Sequence, residues 1–277
     1  MDGFGLLLKR WRKARGLSQE ELAHRARVST RHLSCLETGR ASPSRPMVLS
    51  LAETLELPFR ERNNLLSAAG FAPRFGGSGL DDPNLAHVRR ALDHLLSQQE
   101  PFGAVVMDRL YNVISMNRGA LRLLRLIPSP PPPPLGTNLY HLLLHPDGLR
   151  PLLLNFDEIA GLLLSRLERE VMVNDDRPLR ELLQALRAYG PVPQPPEVHA
   201  AGLQPFGVLR VKRPGGELAL FTMLTSLGTP LDVTAEELRI ESYFPADEAS
   251  ERWLRAEAEA EAEAEAQAGR PDHRALG

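Results

Sequence analysis

Apolar residues recur every three or four positions over most of residues 1–72, and this spacing predicts a series of short helices. Turn-forming residues separate the helices at Gly16, between Gly39 and Pro46, and at Pro58. Residues 73–83 are rich in Gly, Pro and Asp, a composition that predicts a linker. The pattern therefore indicates an all-α N-terminal domain that a linker separates from the rest of the chain.

Beyond the linker the periodicity becomes mixed. Two β-branched runs lie on either side of Asp108-Arg109 within residues 101–127, which predicts a hairpin followed by a helix from Asn117 to Leu126. Helical spacing predicts further helices at 84–99, 138–145, 155–173 and 176–189, and alternation predicts strands at 206–213, 217–227 and 235–244. Residues 84–250 are thus predicted to form an α+β domain.

Two segments fall outside these periodic patterns. Prolines dominate residues 128–134, and this predicts an exposed loop of polyproline type. Residues 251–277 form a tail with an Ala-Glu repeat, which favours helix but carries no apolar stripe. We expect a solvated tail that frays, with an acidic interaction arm as the alternative.

Residues 18–40 hold the most informative local pattern. Ser18 with Glu21 three residues later predicts a capping box at a helix start, and Ser29 predicts the cap of a second helix. Gly39 suits the left-handed end of that helix, and Ala23 is small enough for two helices to cross closely. Two short helices joined by a tight turn are typical of a helix-turn-helix unit.

Charge agrees with a nucleic-acid partner for this unit. The chain as a whole has a net charge of −2, but residues 1–75 carry 13 Lys and Arg against 7 Asp and Glu, whereas the remainder carries 20 against 28. A basic N-terminal block suits a polyanion. The single cysteine, Cys35, excludes an internal disulfide and a zinc site built on a cysteine pair. With neither a leader peptide nor a membrane span apparent, we expect a soluble, cytoplasmic protein.

The segments LSQEELA, VSTRHLSCLETGR and PSRPMVLSLAETLEL resemble the lambda-repressor-like, xenobiotic-response-element family of bacterial regulators over about residues 4–70. The resemblance implies that the second helix of the motif enters the major groove of double-stranded DNA. It implies that the residues facing the bases are Ser29, Thr30, Arg31 and Ser34, with Cys35 as a further candidate. It implies that the residues contacting the DNA backbone are Gln19, Arg40, Ser42 and Arg45.

The chemistry of these side chains supports such roles independently. An arginine can donate two hydrogen bonds to guanine, so Arg31 suits base reading, although contact with phosphate alone is the alternative. Gln19 opens a helix whose N–H groups favour a phosphate. The family often pairs a basic residue of its first helix with a Glu near the end of the recognition helix, so we expect Arg12 to pair with Glu37 in a structural role.

The second part of the chain resembles the ligand-binding domain of MmyB-like regulators, on PFGAVVMDRLYNVISMNRGALRLL, on HPDGLRP with the helix after it, and on GTPLDVTAEELRIESYFPADEAS. The resemblance implies a PAS-like sheet covered by helices around an apolar cavity, with a long-chain fatty acid as the ligand type. The fold class is then multidomain: an all-α helix-turn-helix domain over residues 1–72, followed by a PAS-like α+β domain over residues 84–250.

Side chains that are flexible and apolar, or polar, in this domain are the candidate ligand contacts. They are Met107, Met116, Asn117, Tyr140, His145, Phe156 and Met223. Met172 and the leucines at 142–144 and 152–154 are further candidates, and ordinary core packing is the alternative for each. A carboxylate head group needs a donor, for which Asn117, Arg118, Tyr140 and His145 qualify; His145 is also placed to order the HPDG turn.

The leading hypothesis is a ligand-responsive transcription regulator that acts as a homodimer, because a single helix-turn-helix unit buries little surface. Residues 84–99 or the second domain would supply the dimer contact. In the alternative, the second domain is only a platform for dimerisation or protein interaction. A third hypothesis, a metal-dependent enzyme, rests on the spacing of His141 and His145 and lacks a third ligand. We expect no catalytic residue, no metal site and no cofactor apart from a bound fatty acid.

Overall fold

The structure is a computed structural model that describes residues 3–77, 79–127, 135–174, 176–190 and 207–268. The chain forms two compact units. The first contains residues 1–87 together with 227–237, and the second contains residues 88–226 together with 238–277. The predicted loop at 128–134 lies outside the described residues, as do residues 191–206.

Five helices build the main part of the first unit. They are α1 (Phe4–Ala14), α2 (Gln19–Arg25), α3 (Thr30–Glu37), α4 (Arg45–Thr54) and α5 (Phe59–Ala68). Their apolar faces meet in one core in which Leu8, Trp11 and Leu33 are at most 1% exposed. The helical spacing of these residues placed them on the inward faces, so the predicted all-α domain is confirmed.

The local signals at 18–40 act as predicted. The Ser18 hydroxyl accepts from the Glu21 N–H at 3.0 Å and the Glu21 carboxylate accepts from the Ser18 N–H at 2.7 Å, which is the predicted capping box. The Ser29 hydroxyl accepts from the N–H of His32 at 3.1 Å at the start of α3. Between the two helices, Arg27 takes a left-handed conformation with φ of 55° and makes the tight turn.

Gly5 marks the closest approach of two helices in this unit. A Cβ atom at this position would lie 2.5 Å from the carbonyl oxygen of Leu36 and 2.6 Å from that of Glu37. Only a residue without a side chain lets α1 lie so close to α3. The sequence pattern assigned the role of the small crossing residue to Ala23, which is buried on α2, and did not single out Gly5.

Residues 227–237 pack with the first unit, although the sequence pattern assigned them to the second domain. They contain a short helix, α11 (Val233–Glu237), where a strand was predicted to begin at residue 235. The Asp232 carboxylate accepts from the N–H of Thr234 at 2.8 Å and so caps a helix instead. The Val233 N–H donates to the Gly76 carbonyl at 2.8 Å.

The second unit contains a five-stranded antiparallel sheet and six helices among the residues that the structure describes. The strands are β1 (Ala104–Met107), β2 (Val113–Met116), β3 (Leu209–Arg213), β4 (Gly216–Ser226) and β5 (Arg239–Pro245), in the order β2-β1-β5-β4-β3. The helices are α6 (Ala86–Gln98), α7 (Arg118–Leu124), α8 (Leu139–Leu144), α9 (Phe156–Asn174), α10 (Arg177–Arg187) and α12 (Glu248–Ala268).

Helices α7 to α10 all lie between β2 and β3 in the chain, and their apolar residues pack with the sheet in one core. Val105 on β1 is the direct cross-strand partner of Glu241 on β5, and Leu209 on β3 is the partner of Leu220 on β4. Cross-strand partners share a face of a sheet. The predicted PAS-like sheet covered by helices is confirmed.

The Ala-Glu repeat is helical as far as Ala268, but it is not a free tail over that length. Glu261 forms ion pairs with Arg122 of α7 and with Arg125, the C-cap of that helix, each at 2.7 Å, and Glu265 pairs with Arg118 at 2.8 Å. Most residues from 255 to 268 are exposed, as expected for a solvated segment, but these ion pairs connect the segment to α7 and its C-terminal end. Side-chain partners more than a hundred positions away hold this helix, and its own sequence contains no sign of them.

Candidate DNA interface and ligand cavity

The helix-turn-helix unit presents one polar, solvent-facing surface at α3. Thr30 and Arg31 are exposed at its start, where Ser29 is also exposed and serves as the N-cap, whereas Ser34 and Cys35 are half-buried. Leu33 and Leu36, on the opposite face, are at most 1% exposed. Arg31 makes no side-chain hydrogen bond or ion pair within the described chain, so its five donors are available.

A buried ion pair holds α1 against α3. The Arg12 guanidinium donates to the Glu37 carboxylate from Nε at 2.6 Å and from Nη2 at 3.0 Å, as expected for this pair. The side chains are 9% and 1% exposed. Burial by itself would raise the pKa of Glu37, but the hydrogen bonds and charge of Arg12, with a hydrogen bond from Gln19, lower it.

Gln19 is tied into this pair. Its side-chain amide donates to Glu37 Oε2 at 2.8 Å, so one amide hydrogen is used within the protein. The second amide hydrogen and the N–H groups at the start of α2 are the donors that a phosphate would meet. The pair thus fixes the rotamer of a side chain that was predicted to contact the DNA backbone.

The remaining predicted backbone contacts lie between α3 and α4. Arg40, Ser42 and Arg45 are all exposed, and Arg45 is the first residue of α4, next to its N-cap Ser44. Neither arginine makes a side-chain hydrogen bond or ion pair among the residues that the structure describes. With Arg31 they supply three unpaired positive charges along this surface, as electrostatic attachment to a polyanion requires.

The second unit contains a small apolar cavity, about 50 Å³ in volume, between its sheet and the helices α7 and α8. Strands supply Val105, Val113, Met116, Leu209, Val211, Leu218, Leu220 and Tyr243, and the remaining wall consists of Ala120, Leu123, Leu124, Leu126, Leu139, Leu142, Leu143 and Leu149. The tyrosine hydroxyl is the only side-chain polar group in this set. Such a wall suits an alkyl chain.

The predicted apolar contacts divide into those at the cavity and those elsewhere. Met116 lines it, as do Leu142 and Leu143. Met107 is fully buried in the core of the second unit but lies outside the lining, and Phe156 packs under the Arg150 guanidinium at 4.5 Å from the ring centre. Met223 is 55% exposed on β4 and does not line the cavity. Alternation along a strand puts it on the face opposite Leu220.

Three of the four predicted head-group donors have structural partners. The Asn117 amide caps α7 by accepting from the Ala120 N–H at 2.9 Å, and it donates to the Phe102 carbonyl at 2.8 Å. Arg118 pairs with a glutamate of α12, as described above. His145 Nδ1 accepts from the Asp147 N–H at 3.1 Å, the turn-ordering role that the HPDG motif predicted.

The fourth candidate, Tyr140, differs from the other three. Its side chain is 1% exposed and stacks on Tyr111, with ring centres 3.9 Å apart. Its buried hydroxyl makes only a weak side-chain hydrogen bond, with Tyr111. Leu139 and Leu142, on either side of it in α8, line the cavity.

Comparisons with known families agree with both units. A helix-turn-helix domain family matches residues 4–65, and the family described as MmyB-like transcription regulator ligand binding domain matches residues 88–256, more than half of the chain. The chain belongs to the MmyB-like transcription regulators. It therefore combines a DNA-binding unit with a ligand-binding unit, and both matched families are of regulator type rather than enzymatic.

Other comparisons add little. No curated protein matches this MmyB-like regulator. A solved structure described as an RNA-binding light-oxygen-voltage receptor is 14% identical over 92% of this chain, with a TM-score of 0.30. The chain spans 62% of the length of that receptor.

The described residues contain no group of three or more side chains able to hold a metal ion. His141, one of the two histidines considered for a metal, instead lies 2.7 Å from the Tyr189 hydroxyl through Nδ1. No helix in the described ranges is long and apolar enough to cross a bilayer.

Sequence reasoning missed a polar cluster in the MmyB-like domain. The Tyr111 hydroxyl donates to Glu170 at 2.8 Å, and Arg239 donates to both oxygens of the same carboxylate at 3.1 Å. Arg166, one turn before Glu170 on α9, donates to it more weakly at 3.4 Å. Only the spacing of Arg166 and Glu170, four apart on a predicted helix, was visible beforehand.

Proposed function

We propose that this protein is a transcription regulator whose DNA binding responds to a fatty acid bound in the cavity of its MmyB-like domain. The observation that carries the proposal is the cavity itself, whose walls are apolar except for Tyr243. An acyl chain that widened this space would meet no unsatisfied polar group in its walls and would gain about 0.8 kcal/mol for each methylene that it buried.

DNA recognition is assigned to α3 and its surroundings. Arg31 would read a base edge in the major groove, and Thr30 would contact a neighbouring base. Gln19, Arg40 and Arg45 would bind phosphates and fix the register of the helix. Ser29, Ser42 and Ser34 are expected to add hydroxyl contacts. A homodimer would present two such units about 34–36 Å apart, one turn of DNA.

The chain also offers a route by which ligand occupancy would reach the DNA-binding unit. Leu220 of β4 and Tyr243 of β5 line the cavity, and residues 227–237 join these two strands. That joining segment packs on α5: Glu236 accepts from the Phe59 N–H at 2.6 Å, and Glu237 pairs with Arg60 at 2.6 Å. A ligand that separates the two strands would strain the contact between this segment and α5. The ligand would then bind with different affinities to the protein with this contact intact and with it broken. Such a difference is required for a ligand to shift the balance between two conformations.

The test measures DNA affinity with and without hexadecanoic acid at a fixed salt concentration. A duplex selected from a random-sequence pool serves as the specific DNA, and lipid extraction with mass spectrometry reports any acid that copurifies. We expect the acid to change specific affinity by roughly 5- to 150-fold, the usual range of coupling between two sites.

Ala120→Phe supplies the matched control, since it places a ring in the cavity, whereas Ala91→Phe adds the same ring at an exposed position of α6. Only Ala120→Phe should abolish the response to the acid. If the acid leaves specific DNA binding unchanged in both variants and in the unmodified protein, the ligand-responsive function is wrong. The second domain would then serve only for dimerisation or protein interaction. If no specific duplex is selected, the DNA-binding assignment is wrong.

A further inference from the structure

One stretch of β4 has a strand partner on only one side. β3 pairs with β4 only as far as Leu220, whereas β5 pairs with β4 from there to Ser226. Beyond Leu220, the edge of β4 that faces away from β5 therefore has no strand partner among the residues that the structure describes. Residues 222–226 are all exposed, and the apolar side chains of Met223 and Leu224 are 55% and 41% exposed.

The backbone of β4 directs hydrogen-bonding groups to this open edge at every second residue. Ala219 directs its carbonyl toward β5, where the oxygen accepts from the N–H of Ala246, directly after β5, at 2.8 Å. Successive residues of an antiparallel strand alternate in the side to which their backbone groups point. Thr222, Leu224 and Ser226 therefore direct their N–H and C=O groups to the open edge, away from β5.

The sequence of this edge lacks the features that prevent edge strands from pairing with other chains. Edge strands of monomeric proteins carry charged side chains, a proline or a β-bulge. Residues 220–226, LFTMLTS, contain neither a charge nor a proline, and their register with β5 is unbroken. By contrast β3, which covers the first half of β4, carries Arg210, Lys212 and Arg213. An uncharged, regular edge is suited to pair with another strand.

We propose that residues 222–226 of two copies of this protein pair as antiparallel strands across a two-fold axis and form the contact of a homodimer. A second copy fits this edge because an antiparallel strand is complementary to itself, as a two-fold interface requires. Leu224 lies at the axis opposite Leu224 of the second copy, and Thr222 lies opposite Ser226 of the second copy. The backbone groups that point to the edge then bond to one another, and the two sheets become one.

The DNA-binding unit gives the reason for a second copy. Helix-turn-helix proteins bind two half-sites with two units, and the chain contains one such unit. The contact is also continuous with that unit along the chain, because Ser226 is followed directly by residues 227–237, which pack with the first unit. This inference rests on the homodimer of the proposed function and adds the surface that forms it.

The first experiment places charges at the contact, where Met223 lies opposite Thr225 of the second copy. One variant carries Met223→Lys with Thr225→Lys, and the other carries Met223→Glu with Thr225→Glu. The control, Ile114→Lys with Ser115→Lys, adds the same charge to exposed residues of β2, at the other end of the sheet. Sedimentation velocity of the full-length protein, with a monomer mass of 30.7 kDa, measures the dissociation constant of the dimer.

We expect the unmodified protein and the control to sediment as dimers. Each charged β4 variant should raise the dissociation constant at least about 10-fold, because like charges then lie opposite each other at two places in the dimer. An equimolar mixture of the lysine and glutamate variants should restore the dimer, since opposite charges meet at both places. Restoration by mixing also shows that both variants are folded.

A second experiment tests the register without adding charge. The variant Leu224→Cys is made together with Cys35→Ser, which removes the native thiol. At a hydrogen-bonded pair of antiparallel strands the Cα atoms are about 5.5 Å apart, a distance that a disulfide spans. Mild oxidation should therefore convert this variant to a covalent dimer. Ile114→Cys in the same background should stay monomeric on a non-reducing gel.

The outcomes separate this contact from the homodimer of the proposed function. If the charged β4 variants dimerise as tightly as the control, if their mixture stays monomeric, or if Leu224→Cys crosslinks no better than Ile114→Cys, the β4 edge is not the contact and the homodimer forms elsewhere. If the unmodified protein is a monomer at micromolar concentration, both the contact and the homodimer are wrong, while the response of DNA binding to the acid is decided by its own test.

Discussion

Replacing Arg12 with alanine would leave a buried carboxylate with one of its three hydrogen bonds. Arg12 supplies two of them, at 2.6 and 3.0 Å, and Gln19 supplies the third at 2.8 Å. Glu37 is 1% exposed at its side chain, so water cannot replace the lost donors. Breaking such a pair costs about 3–5 kcal/mol. For a domain of this size, about 3 kcal/mol corresponds to a fall in melting temperature of roughly 12–24 °C.

Thermal and urea unfolding followed by circular dichroism would measure this loss. Lys13→Ala, at an exposed position of the same helix, is the control and should change stability by less than about 0.5 kcal/mol. The double variant Arg12→Met with Glu37→Leu should recover most of the stability, because it removes both charges together. An Arg12→Ala variant within about 1 kcal/mol of the unmodified protein would refute the reasoning.

The same pair predicts a pH dependence. The pKa of Glu37 is lowered in the folded state, because Arg12 and Gln19 outweigh the opposing effect of burial. When the pKa of a carboxyl group is lower in the folded state than in the unfolded state, its charged form stabilises the fold. This contribution is fully present at a pH above the pKa of the unfolded state, and it is lost as the pH falls through the pKa of the folded state. Stability should therefore decline as the pH falls below the ordinary range of a glutamate. In Glu37→Gln this part of the decline should be absent; an unchanged profile would exclude Glu37 as its source.

Three further predictions concern the first unit. Arg31→Ala should lower the preference for selected over random DNA by about 1–3 kcal/mol, and an equal loss of affinity for the two DNAs would exclude base reading by Arg31. Arg45→Ala should weaken binding to both DNAs and reduce the slope of log affinity against log salt concentration by about 1. Gly5→Ala should cost about 1–3 kcal/mol in urea unfolding, because its methyl group meets backbone at 2.5 Å, and more than Gly3→Ala, which has nothing within 4 Å. Arg60→Ala should leave DNA affinity without acid unchanged but diminish the response to the acid; a full response would exclude residues 227–237 as the route.

Local signals carried the prediction of the DNA-binding unit. Ser18 with Glu21, and Ser29 alone, act on N–H groups two or three residues away, so the helix starts follow from neighbours in the sequence. The hairpin on either side of Asp108-Arg109 was predictable for the same reason. Arg12 and Glu37 are farther apart, and only the resemblance to a known family predicted that pair.

The helix at 233–237 shows where local reasoning failed. Its alternating pattern predicted a strand from residue 235, yet Asp232 caps a helix and Val233 is 3% exposed against the first unit. A pattern of apolar residues reports that a segment is buried, and it does not report which partner buries it. The same limit explains Met223, whose flexible apolar side chain suggested a pocket but lies on the exposed face.

The sequence by itself determined most of the helices and strands of this protein, the helix that carries Arg31, and the α+β class of the second domain. These properties depend on periodicity, caps and turns, whose interactions span a few residues. Only the tertiary structure decided that Gly5 lies against α3, that Glu261 reaches Arg122, and that Tyr111 stacks on Tyr140. Those properties depend on contacts between residues far apart in the chain, whose geometry no local pattern encodes.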